Sequence, residues 1–323
     1  MFYHGDLMKL PFTIHAAMVV AMYAAVFAHT AGADELPSLE NFSVSEIAPG
    51  SYVHYGSFEE RSPANLGDNA NIGFIVGEKC VLAIDSGGSL PVGRALREAI
   101  RRTTALPVCY VVLTHVHPDH FFGAAAFLDD HPQFVAHQNY AAQLAARSRS
   151  YLNSLRRDLG AAAEGTQIVE PTQVVSTQLE LDLGGRKVVV QAWPPAHTDD
   201  DLTVFDTLTR TLWTGDLLFV DHTPIIDGTI TGFLSVIKKL RVINADHYVP
   251  GHGRSELPWP QPLDAQERYF TLILNETRAA IHDRKTIQQA TDEVGRSEAG
   301  NWAAFDLFHR RNVTAAYTEL EWE

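Results

Sequence analysis

Residues 110 to 127, YVVLTHVHPDHFFGAAAF, crowd His115, His117, Asp119 and His120 into six positions beside an apolar run. Farther along the chain, His197, Asp216 and His252 each follow or end an apolar segment of the same kind. Neutral imidazole and carboxylate are good ligands for zinc and similar first-row cations, and no thiolate belongs to the set. A catalytic zinc takes three protein ligands, and a two-metal centre shares an oxygen ligand between its ions. Three histidines for one ion, an aspartate and two histidines for the other, and a carboxylate between them would use all seven. Without a cation, so many titratable groups packed together would carry a heavy desolvation cost. The remaining candidates, His54, His137, His222 and His247, read as ordinary strand-end or solvated histidines.

Such a site needs a frame that brings distant segments together. The segment VCYVVLT (108 to 114) is short, apolar and β-branched, the pattern of a strand covered on both faces. NIGFIVGEKCVLAIDSGG reads as a hairpin ending at Asp85, and 91 to 105 as an amphipathic helix that starts at a proline. FFGAAAFLDD reads as helix, QFVAH as strand, and 138 to 160 as a longer helix. Hairpins are expected around Gly184-Gly185 and within 202 to 219, the latter ending at Asp216. A helix is expected over 232 to 243, a strand in HYVPGHG, and mostly helix from Asp264 onward. Strands followed by helices, twice over, indicate an α/β sandwich of two similar halves. The ends of sheet strands converge on one rim, where residues remote in sequence can meet.

Smaller features refine the site. Pro118 suits a first helical turn, and Gly123 with three alanines lets that helix lie close to the sheet. Asp85 is a candidate acceptor for the free N–H of a ligating histidine, with an ordinary turn aspartate as the alternative. Phe121, Phe122, Trp193 and His222 could line a pocket or simply fill the core. Trp302, Phe305 and Phe308 could cap that pocket or form a dimer surface. Cys80 and Cys109 allow one intramolecular disulfide, and two separately buried thiols are the plainer reading.

The chain has 323 residues, 46% of them hydrophobic, and a formal charge of −14, so it can bury a full core and repels nucleic acid and anionic lipid. Residues 16 to 28, AAMVVAMYAAVFA, followed by AGA at 31 to 33, read as a signal peptide cleaved after Ala33, with an uncleaved anchor as the alternative. The expected organisation is thus a signal peptide over 1 to 33, a main domain carrying the candidate metal site over 34 to 262, and a helical C-terminal extension over 263 to 323 packed on that domain. A periplasmic or secreted location follows, with no membrane association after cleavage. Asn41, Asn275 and Asn312 begin N-x-Ser/Thr sequons that carry no weight in such a setting.

The sequence THVHPDH resembles the H-x-H-x-D-H signature of the metallo-β-lactamase superfamily, and PPAHTDDDLTVF, LWTGDLLF and VPGHG resemble its later ligand motifs in order. The resemblance covers roughly residues 45 to 255. It implies an αββα sandwich in which His115, His117 and His197 hold one zinc ion, Asp119, His120 and His252 hold a second, and Asp216 bridges them. Asp119 would also orient the attacking water in a metal-assisted hydrolysis of an ester, thioester, lactone or amide-type bond. Asp216 stands where the best-known β-lactamases of this superfamily carry a cysteine, as it does in relatives such as glyoxalase II, which lowers the antibiotic reading. The segment 215 to 234 is similar to the quinoprotein relay system zinc metallohydrolases and SoxH-like proteins, implying a quinoprotein or c-type cytochrome partner. The alternatives are a single-iron (Fe2+) persulfide dioxygenase-like oxidoreductase, a β-lactamase and a non-catalytic, metal-stabilised partner protein.

Overall fold

A computed structural model describes Leu39 and residues 42–323, so the expected signal peptide lies outside the described residues. The strands are β1 (Ser45–Ala48), β2 (Ser51–His54), β3 (Ile72–Val76), β4 (Val81–Ile84), β5 (Val108–Val112), β6 (Gln133–His137), β7 (Gln173–Val175), β8 (Gln178–Asp182), β9 (Lys187–Ala192), β10 (Leu202–Asp206), β11 (Thr211–Phe219) and β12 (His247–His252). The helices are α1 (Leu90–Thr103), α2 (Pro118–Phe121), α3 (Tyr140–Leu159), α4 (Ile230–Leu240), α5 (Leu263–His282), α6 (Ile287–Glu293) and α7 (Phe305–Leu320).

β1 to β7 form one sheet in chain order, and β12-β11-β10-β9-β8 form the other. Three apolar layers result. Val53, Ile75, Leu82, Val112, Val190, Val204 and Trp213 fill the space between the sheets. Val92, Leu96 and Ile100 of α1, with Phe121, Phe127 and Tyr140, cover the outer face of the first sheet. Phe233 and Ile237 of α4, Phe270 and Ile273 of α5, and Val313 and Ala316 of α7 form the third layer with Leu217 and Leu218 of β11. This is the αββα arrangement, each half supplying one sheet and its outer helices, with a helical C-terminal segment.

Local chemistry explains the elements that carry the site. β4, β5 and β6 run parallel, so their carboxyl ends share one rim. Helix α1 is capped by Ser89, whose hydroxyl accepts from the Val92 amide, and it buries Val92, Leu96, Ala99 and Ile100 on one face. Gly93 of α1 and Gly123 lie so close that a side-chain carbon at either would collide with the other's backbone. That close approach shapes the segment expected to be one helix over FFGAAAFLDD. It is divided between the single turn of α2 and a 3-10 helix over Ala124–Asp130.

Two further expectations need correction. Cys80 and Cys109 are joined by a disulfide, with Cα atoms 5.7 Å apart, instead of lying as separate thiols. The parallel pairing of β4 with β5, Val81 opposite Val108, brings them together. Asp216 is not at the end of its strand: β11 continues to Phe219, with register shifts against β12 on either side of Gly215. Gly215 takes a φ of 50°, a left-handed conformation that glycine adopts readily. β7, a three-residue strand with a polar first residue, has no clear sequence signal.

Candidate metal centre

The seven candidate side chains converge on one end of the sandwich. One ligand atom from each of His115, His117, His197 and Asp216 lies within 4.8 Å of the others, and the same holds for Asp119, His120 and His252. Asp216 joins the two groups. Its Oδ2 lies 3.5 Å from His115 Nε2, 3.2 Å from His197 Nε2 and 3.4 Å from His252 Nε2, while its Oδ1 lies 3.2 Å from His120 Nε2. Asp119 Oδ2 is 3.4 Å from His252 Nε2 and 3.8 Å from His120 Nε2. Gly251 provides the room for this: a side-chain carbon there would strike Asp216 Oδ1.

Hydrogen bonds on the far sides of the rings fix which nitrogen faces inward. His120 Nδ1 donates to Asp85 Oδ2 at 2.8 Å, and His197 Nδ1 donates to the Ile225 carbonyl at 2.8 Å. His117 is turned the other way, its Nε2 donating to Asp227 Oδ2 at 3.2 Å. Its Nδ1 therefore faces His197 Nε2, 2.8 Å away. Two ring nitrogens whose protons are committed elsewhere leave lone pairs pointing at each other, an arrangement relieved by a shared proton or a cation.

Asp85 is more than a turn residue. It holds the left-handed backbone region at φ 56°, and its carboxylate accepts from the Thr114 amide and hydroxyl as well as from His120. A non-glycine residue in that region stores strain that the surrounding bonds must hold in place. Asp227 was not evident from the sequence. It accepts from His117, Arg147 and Arg311, and the nearest sequence signal is its position in the polar turn after β11. Asn71 was equally silent; its side chain donates to the Pro250 and Gly253 carbonyls and fixes the end of β12 beside His252.

The electrostatics favour a cation. Burial alone would raise the Asp216 carboxyl, but the imidazoles of His120, His252, His115 and His197 outweigh it and hold it well below the usual carboxylate range. Asp119 is lowered in the same way by His120 and His252 against the opposing effect of burial. Burial drives His115 well below its ordinary value, so it stays neutral and free to ligate. His115 Nε2, His120 Nε2 and Asp216 Oδ1 are buried and make no hydrogen bond among the described residues. Each such orphaned atom costs about 1–3 kcal/mol if nothing satisfies it. Divalent cations accepting these nitrogen and oxygen lone pairs fit the donor set on every count.

A cavity of about 420 Å³ opens onto the site, with Asp119, His117, His252, Tyr151, His222 and Phe308 in its wall. His222 packs between Phe58 and Phe308 and against His252. Phe121 and Phe122 are core residues, and Trp193 donates to the Thr203 hydroxyl away from the cavity. Trp302 and Phe305 are buried in the outer layer, so of the three C-terminal aromatics Phe308 alone reaches the pocket. His54 is paired with Asp68, and His247 is exposed at the start of β12.

The family model for the metallo-beta-lactamase superfamily matches residues 66–252. The chain belongs to the metallo-β-lactamase superfamily. It is 25% identical over 243 residues to the linear primary-alkylsulfatase of a Pseudomonas species, an alignment covering 63% of this chain and 44% of that protein. A stereoselective inverting sec-alkylsulfatase from Pseudomonas sp. shares the fold with a TM-score of 0.67 at 16% identity, covering 86% of this chain and 50% of the other. A metallo-β-lactamase from Pontibacter korlensis matches with a TM-score of 0.56 at 19% identity, covering 71% of this chain and 98% of its own. This chain thus spans half or less of the alkylsulfatases' length. The family model establishes the superfamily and the solved structures the fold; the finer similarity to the quinoprotein relay subgroup gains no support from these comparisons.

Proposed function

We propose that the protein is a metal-dependent hydrolase that holds two zinc ions. His115, His117 and His197 would hold one ion, Asp119, His120 and His252 the other, with Asp216 between them. The observation that carries this reading is the convergence of all seven side chains around three buried, unsatisfied ligand atoms. When bound, divalent cations supply Lewis acidity here and make water a stronger acid. The chain's own residues do the rest. Asp119 is the most solvent-open carboxylate of the set, its side chain 22% exposed and in the cavity wall, so it can accept a proton from water and orient it. Asp85, Asp227 and the Ile225 carbonyl hold the rings of His120, His117 and His197 in single tautomers. Phe308, His222 and Tyr151 give the cavity an aromatic wall suited to a substrate with an apolar part.

The bond cleaved belongs to the ester, thioester, lactone or amide class, and the alkylsulfatase relatives make sulfate esters the first to try. Export by a signal peptide ending at Ala33 is part of the same proposal, and it is checked by sequencing the N-terminus of the protein recovered from outside the cytoplasm. No observation supports a quinoprotein or cytochrome partner, and the proposal does not include one.

Turnover of an alkyl sulfate, a thioester, a lactone and a β-lactam by the zinc-loaded protein tests the reading. The expected result is hydrolysis of at least one, abolished by chelation and reduced by Asp119→Asn when the rate is expressed per zinc ion bound. No turnover on any of these bonds by fully loaded protein would count against it and leave the non-catalytic alternative standing.

A further inference from the structure

The segment Asp221–Gly228 after β11 lies between the site and the C-terminal helices. On the site side it grips two of the ligand histidines. The Ile225 carbonyl accepts from His197 Nδ1 at 2.8 Å, the amides of Asp227 and Gly228 donate to the His197 carbonyl at 2.8 and 2.7 Å, and Asp227 Oδ2 accepts from His117 Nε2. On the far side it is held by α7 and the turn before it. Asn312 Nδ2 donates to the Pro224 carbonyl at 2.6 Å while its Oδ1 accepts from the Ile226 amide at 3.0 Å. The Thr223 amide and hydroxyl both donate to the Ala303 carbonyl, and Arg311 donates to Asp227 Oδ1 at 2.8 Å.

Asn312 is itself fixed. Its side chain is fully buried and also donates to the Tyr269 hydroxyl at 3.0 Å. The Tyr269 hydroxyl donates to His309 Nδ1 at 3.1 Å, and His309 Nε2 donates to the Val294 carbonyl at 2.7 Å. The chain of donors runs in one direction from Asn312 through Tyr269 to His309, so every proton has a single assigned place. Burial depresses His309 and keeps it neutral, consistent with Nδ1 as an acceptor.

We propose that α7 is a positioning element of the metal site, with Asn312 and Arg311 setting the aim of His197 and His117 through the 221–228 segment. The hydrogen-bonded grip falls on one half of the site, although His222 of the same segment also packs between Phe308 and His252. His120 is aimed by Asp85, at the end of β4, and the end of β12 beside His252 is held by Asn71, neither of which touches α7. Removing the Asn312 or Arg311 hydrogen bonds, with Phe308 and His222 left in place, therefore loosens the His115, His117 and His197 set more than the Asp119, His120 and His252 set. The inference rests on the two-cation reading and gives the C-terminal helices a role beyond burying apolar surface.

Stepwise titration of the metal-free full-length chain with Co2+, against a competing chelator and with the absorption spectrum followed, tests it. Arg311→Met and Asn312→Leu each weaken one of the two binding steps by roughly ten-fold or more, the scale on which partners of metal ligands act, and change the other by much less. Arg311→Lys, which still presents a cation to Asp227, recovers most of the loss. Asp85→Asn weakens the opposite step. Equal weakening of both steps by the α7 variants, or no change in either, overturns the proposal. If Asn312→Leu does not fold, the Arg311→Met and Arg311→Lys pair decides alone, because Arg311 is half exposed. A wild-type chain that takes up no cation defeats the proposed function itself; a wild-type chain that binds two while the variants titrate identically defeats only this inference.

Discussion

Asp216 sits among four imidazoles with its two oxygens divided between the ligand groups, and that division is possible because residue 251 has no side chain. Gly251→Ala is expected to push the carboxylate aside, reducing cation affinity by roughly ten- to a hundred-fold with the fold retained, as measured by chelator competition beside circular dichroism. Asp85→Ala removes three hydrogen bonds at a strained backbone position and leaves the Thr114 hydroxyl and His120 Nδ1 without their acceptor. It should destabilise the metal-free protein by about 2–4 kcal/mol in urea unfolding. An unchanged midpoint would mean that Asp85 is merely a turn residue. The seven side chains that converge were legible because each is a polar group in a place where the surrounding apolar pattern gives it no structural use. Asp227, Asn71 and Asn312 were not, since a lone carboxylate or amide in a turn or helix has the same sequence signature whether it faces water or a histidine.

At the scale of elements, apolar periodicity located the hairpins about Gly184-Gly185 and within 202 to 219, as well as α1, α3, α4 and β12, to within a few residues. It failed where packing decides the conformation. The Gly93–Gly123 contact splits one expected helix in two, the bulge at Gly215 extends β11 past Asp216, and pairing of β4 with β5 joins two cysteines that are 29 residues apart. Non-reducing peptide mapping should recover the Cys80 and Cys109 peptides linked, and replacing both by serine should cost about 2–4 kcal/mol of stability. The C-terminal helices carry a pH-dependent anchor of their own. The Glu298 carboxylate accepts a two-point contact from Arg268 and further bonds from Asn301 and Trp302, and the Arg268 contact leads in lowering it to about 2. Its folded value lies below its unfolded one, so the stabilisation is present above about pH 4.5 and is lost as pH falls toward 2. Glu298→Gln should lower the melting temperature at pH 7, with the gap to wild type narrowing through that window; a gap independent of pH would show that the charge is not involved.

The whole molecule is a frame for one rim. Two sheets place the ends of β5 and β12, the bulge in β11 and the loop after β9 around a common point, and the outer helices hold that rim from behind. The formal charge of −14 has the sign that draws cations toward such a site and opposes polyanions. Among the described residues no helix is long and apolar enough to cross a membrane. The central claim is that the seven side chains act together as a two-cation site. Elemental analysis of chelator-stripped protein reloaded with zinc, wild type beside Asp216→Ala, tests it most directly. The account predicts two zinc ions per chain in the wild type and at most one in the variant; a wild type that retains none or only one, or a variant that retains both, would contradict it.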